Sequence, residues 1–525
     1  MSIPELDLNF HSYCSINIAT ASDTTDAEFN PFADGSYGSG ATKNIVKTPD
    51  IVYDSTAGSL SFGASGTYFI VFACPLISGG LLGDAIVLII KHNGTDVVVS
   101  DDLRHRTSMS PKSGIVNCML TVQAGDNITV TVDGTHADCQ TGAGTHVTVV
   151  KANGHFAGAF YTANANQTTA SGPYPIFDTA NEGGTVVSNT NGITYSDTNG
   201  HFTASANRRF LLFSSWILEG NSAIVGAHSF MRDPGSGAVV VDSLGLGIKG
   251  TVDPICHTYH MVKSIGEDDI VTDTFSQTGT PRYFTIDKGT GFCMLDISND
   301  GTNPSAHLSL SLNVDSDAFS TTSGDIDIFD AGNTSSGFGT SNHTSTAGVT
   351  YESGDGTFTI AQSGDYLVIL TVALDDTTSA NTLTLKVNVD SATYYSVGYE
   401  TLSTCDPVSY PISLVMSLEA GAVLNFLVNN AGAKIDDGSS VSIVRLDDVG
   451  GSDYLLLEDG FLSDTPDNLI QDDFDINTHE KQDQRFRHVD QAPTILSTEG
   501  PPSIRGRAKG VLPFRVASSR KKGLE

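Results

Sequence analysis

The chain has 525 residues, with 53 Gly, 27 Lys and Arg, 60 Asp and Glu, and a formal net charge of −33. That length exceeds what one core supports, since domains usually run about 100–150 residues, so three or four units are expected. The charge argues against nucleic acid as a partner of the body and favours solubility, and no apolar run approaches the roughly 18 residues that cross a bilayer.

The start, MSIPELDLNF, lacks a basic stretch followed by an apolar core, so no secretory signal is read and assembly in a cytoplasm is expected. Seven cysteines (Cys14, Cys74, Cys118, Cys139, Cys256, Cys293, Cys405) lack CxxC spacing and read as buried thiols in a reducing compartment. Along the rest of the chain, short Val, Ile, Phe and Tyr runs alternate in polarity between Gly-, Asn- and Asp-rich segments, which predicts strands joined by turns.

The first elements are a strand in HSYCSINIAT from His11, then Phe32-Ala33-Asp34, then DIVYDSTAGSLSFGASGTYFIVF from Asp50. All three recur. First strands start again at His155 and His307, Phe177-Asp178 and Phe329-Asp330 follow, and GITYSDTNGHFTASANRRFLLF from Gly192 and GVTYESGDGTFTIAQSGDYLVIL from Gly348 align without gaps. In each copy a Tyr (Tyr53, Tyr195, Tyr351) precedes an aromatic (Tyr68, Phe210, Tyr366) by 15 residues, with Leu60, Phe202 or Phe358 between them. Next comes a strand pair broken by a turn, Asn93-Gly94 in the first copy and Asp233-Pro234-Gly235 in the second. Asn-Gly is the strongest short hairpin signal, because both turn positions need positive φ. Two strands around a Gly turn follow, from Leu120, Met261 and Leu414, and then the closing strands THVTVVKA, GTGFCMLDI and SSVSIVRLD. Roughly eight to ten strands per copy suit a two-sheet antiparallel sandwich. The expected fold is therefore all-β: three tandem antiparallel β-sandwich (jelly-roll) domains at 1–152, 153–303 and 304–448, with an extended C-terminal tail at 449–525.

Gly66-Thr67-Tyr68 with Ile70 and Phe72, Gly364-Asp365-Tyr366 with Val368 and Leu370, Ala124-Gly125-Asp126 and Ala420-Gly421 resemble the Gly-x-Tyr strand and Leu-x-x-Gly-Asp turn of the jelly-roll superfamily of the complement q-subunit globular head and tumour necrosis factor. The resemblance covers residues 8–448. Copy two departs from it, with Asn207-Arg208-Arg209-Phe210 in place of Gly-x-Tyr and Gly266-Glu267-Asp268-Asp269 reading as a lengthened turn. The resemblance implies trimeric geometry. The short link from Lys151 to His155 favours an intramolecular pseudo-trimer over self-trimerisation of three chains stacked domain on domain.

Gly245-x-Gly247-x-x-Gly250 lacks the following helix that a dinucleotide site needs and reads as an inter-strand loop. Cys256, His257 and His260 suggest a metal, but on a strand His257 points away from the other two, so an ordinary strand is preferred. Loop carboxylates Asp34, Asp126, Asp178, Asp268 and Asp330 form no calcium-loop pattern and read as turn formers. The sequons at Asn93 and Asn127 read as incidental. With neither a nucleophile elbow nor a Cys/His dyad, no catalytic residue, cofactor site or metal site is assigned, and no enzyme activity is expected.

Residues 451–475 hold eight acids and no Lys or Arg around Leu455-Leu456-Leu457 and Phe461-Leu462. Seven of the 27 bases and one of the 60 acids lie in the last 21 residues, so this end carries +6 and the rest −39. Pro501-Pro502 and Pro513 keep it extended. Arg505, Arg507, Lys509, Arg515, Arg520, Lys521 and Lys522 supply charge, and Val511, Leu512 and Phe514 supply apolar anchors, for docking on an acidic surface of a larger assembly. The alternative is an end folded back on its own acidic body. Together these features point to a bacteriophage virion protein: a capsid decoration, head-spike or fibre component contacting capsid, portal or tail proteins, with no nucleic-acid or membrane partner. The alternative is a host- or glycan-binding adhesin using sandwich loops. For that role the one Trp, Trp216, falls on an expected strand.

Overall fold

The computed structural model describes residues 12–19, 28–34, 43–78, 85–104, 112–134, 139–167, 173–179, 184–220, 224–233, 239–248, 252–277, 284–299, 303–304, 306–312, 324–331, 340–375, 382–400, 408–429, 434–435 and 438–446. Phe10–Asp448 forms one compact unit, and the other unit, Met1–Asn9 with Val449–Glu525, lies outside the described residues.

Three copies of one antiparallel two-sheet sandwich fill this stretch. In copy one the inner sheet runs, edge to edge, Lys112–Val122, Gly66–Ser78, His146–Ala152, Tyr13–Ile18, Lys43–Lys47, and the outer sheet runs Ile51–Asp54, Ser59–Phe62, Asn127–Gly134, Ala85–His92, Thr95–Val99. Copy two repeats the inner order as Val252–Ile265, Arg208–Gly220, Gly291–Asp296, Phe156–Tyr161, Val186–Asn191. Copy three repeats it as Val408–Leu418, Gly364–Asp375, Ser440–Arg445, His307–Leu312, Thr340–Ser345. In each copy the chain crosses between sheets rather than pairing every strand with its sequence neighbour, which is a jelly-roll-like connection.

The residue spacings repeated in the sequence belong to the scaffold. Tyr53, Tyr195 and Tyr351 each donate a hydroxyl hydrogen bond to the carbonyl of Phe32, Phe177 or Phe329, at 2.7 Å in the second and third copies. The Phe rings enter the sandwich interiors, where Phe329 packs edge-on against Phe358 with centroids 5.5 Å apart. The Asn93-Gly94 turn has φ of 51° and 79°, as a type I′ hairpin requires. Gly125 and Gly421 turn the chain between sheets with φ of 94° and 93°, and Asp268 holds the equivalent position at 64°. Ile128 lies six positions after Val122, and Val271 six positions after Ile265, their register equivalents. The turn of copy two is therefore not lengthened as its sequence suggested: an Asp replaces Gly in a left-handed position that Asp tolerates.

The two sheets differ in what covers them. Outer strands show one buried face, as in Ser59–Phe62 and Val423–Asn429, whose burial alternates residue by residue. The first strands Tyr13–Ile18, Phe156–Tyr161 and His307–Leu312 are buried at all six positions, so both faces of the inner sheets are covered. Gly245 and Gly247 lie within strand Val239–Ile248, paired with Ala227 and Val225, not in the loop expected of them. The strand ladder takes them up because glycine lacks only a side chain, not a backbone donor.

Candidate functional site

The covered faces of the inner sheets meet one another. Register alignment on Tyr68, Phe210 and Tyr366 makes Asn117, His260 and Ser413 equivalent, and likewise Thr148, Cys293 and Ser442. Asn117 of copy one meets Cys293 of copy two at 3.1 Å, His260 of copy two meets Ser442 of copy three at 3.0 Å, and Thr148 of copy one donates to the Ser413 carbonyl of copy three at 2.7 Å. Each copy thus lays the same strand on the closing strand of the next, and the third returns to the first.

Apolar side chains lie above this polar layer. Phe69, Leu211 and Leu367 are equivalent, all are at most 1% exposed, and they share one cluster with Met119, Val262 and Val415. Phe69 stands edge-on to Phe213 with centroids 5.5 Å apart, a geometry worth about 0.5–1.5 kcal/mol beyond area burial.

The three seams use different chemistry at matching places. Between copies one and two, Asn117 donates to Ser215 and to the Gly291 carbonyl at 3.2 Å, and Met119 fills the space left by Gly158. Between two and three, Ser309 and Ser409 accept the backbone N–H groups of Val262 and Thr258 at 3.0 and 2.8 Å. The Arg209 guanidinium lies 3.3 Å from His307, so the departure of copy two from Gly-x-Tyr supplies a seam contact. Between three and one, His146 donates through Nδ1 to the Gly144 carbonyl at 2.9 Å and accepts the Ser413 N–H at 3.1 Å, with Tyr395 also bonded to that carbonyl. Burial pushes the His146 imidazole down to about 4, and the Ser413 N–H requires it neutral.

A carboxyl marks the first seam. Asp287 is fully buried, neither of its oxygens has a partner among the described residues, and burial, reinforced by Asp101 and Glu219, pushes it up to about 8.

A second polar constellation lies inside copy two. Asp273 accepts from Ser214 at 2.6 Å, from the Trp216 indole at 2.9 Å, and from His228 Nε2 at 2.8 Å. The His228 ring stacks on Trp216 with centroids 3.5 Å apart, and His257 sits beside Trp216 in the ladder. All five residues are at most 1% exposed. No single sequence motif marks this cluster, because its members come from four strands. Comparing the three copies position by position beyond the Tyr anchors is the signal that finds it.

Of the other sequence candidates, Cys256 and His260 face the seam while His257 faces the interior, as strand alternation predicted. No group of three or more His, Cys, Asp or Glu is placed to hold a metal among the described residues. Asp126 accepts from the Gln123 N–H, Asn93 and His92, which hold it down at about 2, the work of a turn former. The thiols of Cys14, Cys74 and Cys118 are pushed up to about 12 by burial, which removes them from nucleophilic chemistry. The arm residues Arg505, Arg507, Lys509, Val511, Leu512, Phe514, Arg515, Arg520, Lys521 and Lys522 lie outside the described residues.

No protein-family model and no curated protein matches the sequence. Among solved structures the chain is similar to the Eiger TNF from S. frugiperda, with 12% identity over 28% of this chain and 94% of that one and a TM-score of 0.20. It is similar to the complex of the plant peptide RALF23 with FER and LLG2, with 12% identity over 56% and 90% and a TM-score of 0.18. It is also similar to PNGF-II, with 7% identity over 83% and 98% and a TM-score of 0.24. The jelly-roll-like fold rests on the strand order and register described above.

Proposed function

We propose that this chain is a non-enzymatic virion structural protein of a bacteriophage, a capsid decoration, head-spike or fibre component, in which one polypeptide supplies all three parts of a trimeric head. The observation that carries this reading is the set of three seams, which run in one cyclic direction through equivalent positions yet differ in chemistry. Such seams favour closure within one chain, because a heterologous interface that closes after three steps leaves no free end for a further copy. The basic arm at 505–522 gives the head a means of attachment to an acidic surface. Trp216, the one Trp, is buried in copy two, and this weighs against a glycan-stacking role.

Analytical ultracentrifugation is expected to give a single species near the chain mass of 55.2 kDa, whereas a threefold larger mass would refute closure within one chain. Virions assembled with a chain lacking residues 500–525 are expected to lack the protein. Full occupancy by the truncated chain would sink the docking role.

A further inference from the structure

The polar cluster inside copy two occupies positions that the other copies keep apolar. Register equivalence sets Ser214 against Phe72 and Leu370, Trp216 against Cys74 and Val372, and His228 against Leu88 and Leu385. It sets Asp273 against Val130 and Phe426, and His257 against Gly114 and Tyr410. A core of this kind is costly to keep unless every polar atom is paired. It is not fully paired: Nδ1 of His228 and both ring nitrogens of His257 have no hydrogen-bond partner among the described residues.

We propose that this cluster makes copy two an acid-labile element, whose sandwich opens on acidification while the interiors of copies one and three stay closed.

The titratable groups of the cluster are Asp273 from strand Ile270–Gln277, His228 from Ile224–Asp233, and His257 and Tyr259 from Val252–Ile265. The long strand Arg208–Gly220 contributes Ser214 and Trp216, and Phe284 and Phe292 close the interior from the remaining inner strands. No Lys or Arg is placed against Asp273, and no acid other than Asp273 is bonded to His228, among the described residues. Burial, and then the neighbouring charge of His228, lower the His257 imidazole from 6.5 to about 3. Its folded pKa is depressed, so the closed core refuses a proton that an opened one accepts. Closure is favoured fully above the unfolded value of 6.5 and is lost progressively as pH falls towards 3. That difference alone shifts the closed-to-open ratio by up to about three orders of magnitude across the interval; the raised carboxyl of Asp287, at the seam of the same copy, acts with the opposite sign over it, and Asp287→Asn separates the two. The equivalent positions in copies one and three carry no titratable side chain except Tyr410 and Cys74, and the buried imidazole of copy one, His146, lies at the seam rather than in an interior and is lowered less, to about 4.

The protein carries its own reporter, since its one Trp lies in the cluster. Between pH 7.5 and 4 the Trp216 emission maximum of the full chain carrying Asp287→Asn, which removes the opposing titration, is expected to move to longer wavelength. Hydrogen exchange, corrected for intrinsic rate, should show peptides from Gly66–Ser78 and Gly364–Asp375 still protected. In His257→Leu, which removes the titrating ring without removing a hydrogen bond, the midpoint should fall by at least one pH unit. If that variant fails to fold, His257→Tyr, which installs the residue of copy three, should do the same. An unmoved emission maximum at pH 4, simultaneous loss of protection in all three copies, or an unchanged midpoint in the folded variant would each overturn the proposal.

Discussion

Gly158 offers a sharp test of the seam between copies one and two. The equivalent residue is Ser15 in copy one and Ser309 in copy three, so Gly158→Ser makes copy two match its siblings. At an unobstructed site, losing a glycine should stabilise by about 0.4–1 kcal/mol through the unfolded chain. Here an added Cβ would stand 2.3 Å from Met119 Cγ, 2.5 Å from its Cβ and 3.3 Å from its backbone N. Because Met119 Cβ is fixed to the backbone, rotating the side chain cannot clear the site and the two strands must part. Overpacking of this kind costs about 1–3 kcal/mol, which outweighs the entropic gain. Urea unfolding at 25 °C should therefore show Gly158→Ser less stable by about 1–2 kcal/mol. Gly354→Ala, where the nearest atom to an added Cβ is the Glu352 carboxylate at 3.8 Å, should be neutral or slightly stabilising. A Gly158→Ser midpoint at or above wild type would refute the close packing of this seam.

Three further outcomes follow from the same geometry. Phe69→Ala and Phe213→Ala should each cost about 3–5 kcal/mol, and a double-mutant cycle should return a coupling of about 0.5–1.5 kcal/mol; strict additivity in denaturant titrations would show that the rings do not meet. His146 has a depressed folded pKa, so its contribution is whole above 6.5 and declines as pH falls to about 4; replacing it with Gln should reduce acid-induced exchange at the Ser413 amide, and an unchanged pH profile would refute its seam role. Asp287 has the opposite sign: raised from 3.8 to about 8, it holds a proton that the unfolded chain releases, and stability falls as pH rises through that window. Asp287→Asn should flatten this slope and gain up to about 3 kcal/mol at pH 9 in chemical denaturation, whereas a loss there would show that the carboxylate is needed in its charged form.

The amino-acid sequence by itself determined the repeat, the strand content and the turn chemistry. Tyr53, Tyr195 and Tyr351 recur because each ties down a Phe carbonyl 18 to 22 residues upstream, and Asn93-Gly94 is legible because positive φ is a local demand. The run Tyr68-Phe69-Ile70-Val71-Phe72 shows where local reasoning stops. Its continuous apolarity marks a strand buried on both faces, yet nothing local says that Phe69 and Val71 meet other copies while Tyr68, Ile70 and Phe72 fill their own sandwich. Only the tertiary structure decided that Asn117 would find Cys293, His260 would find Ser442 and Thr148 would find Ser413, because those partners lie more than a hundred residues apart and belong to different copies. It also decided that Ser214, Trp216, His228, His257 and Asp273 would meet in one interior. None is marked by its own strand as part of a polar core, which becomes visible only when two sheets close over it and exclude the water that would otherwise satisfy it.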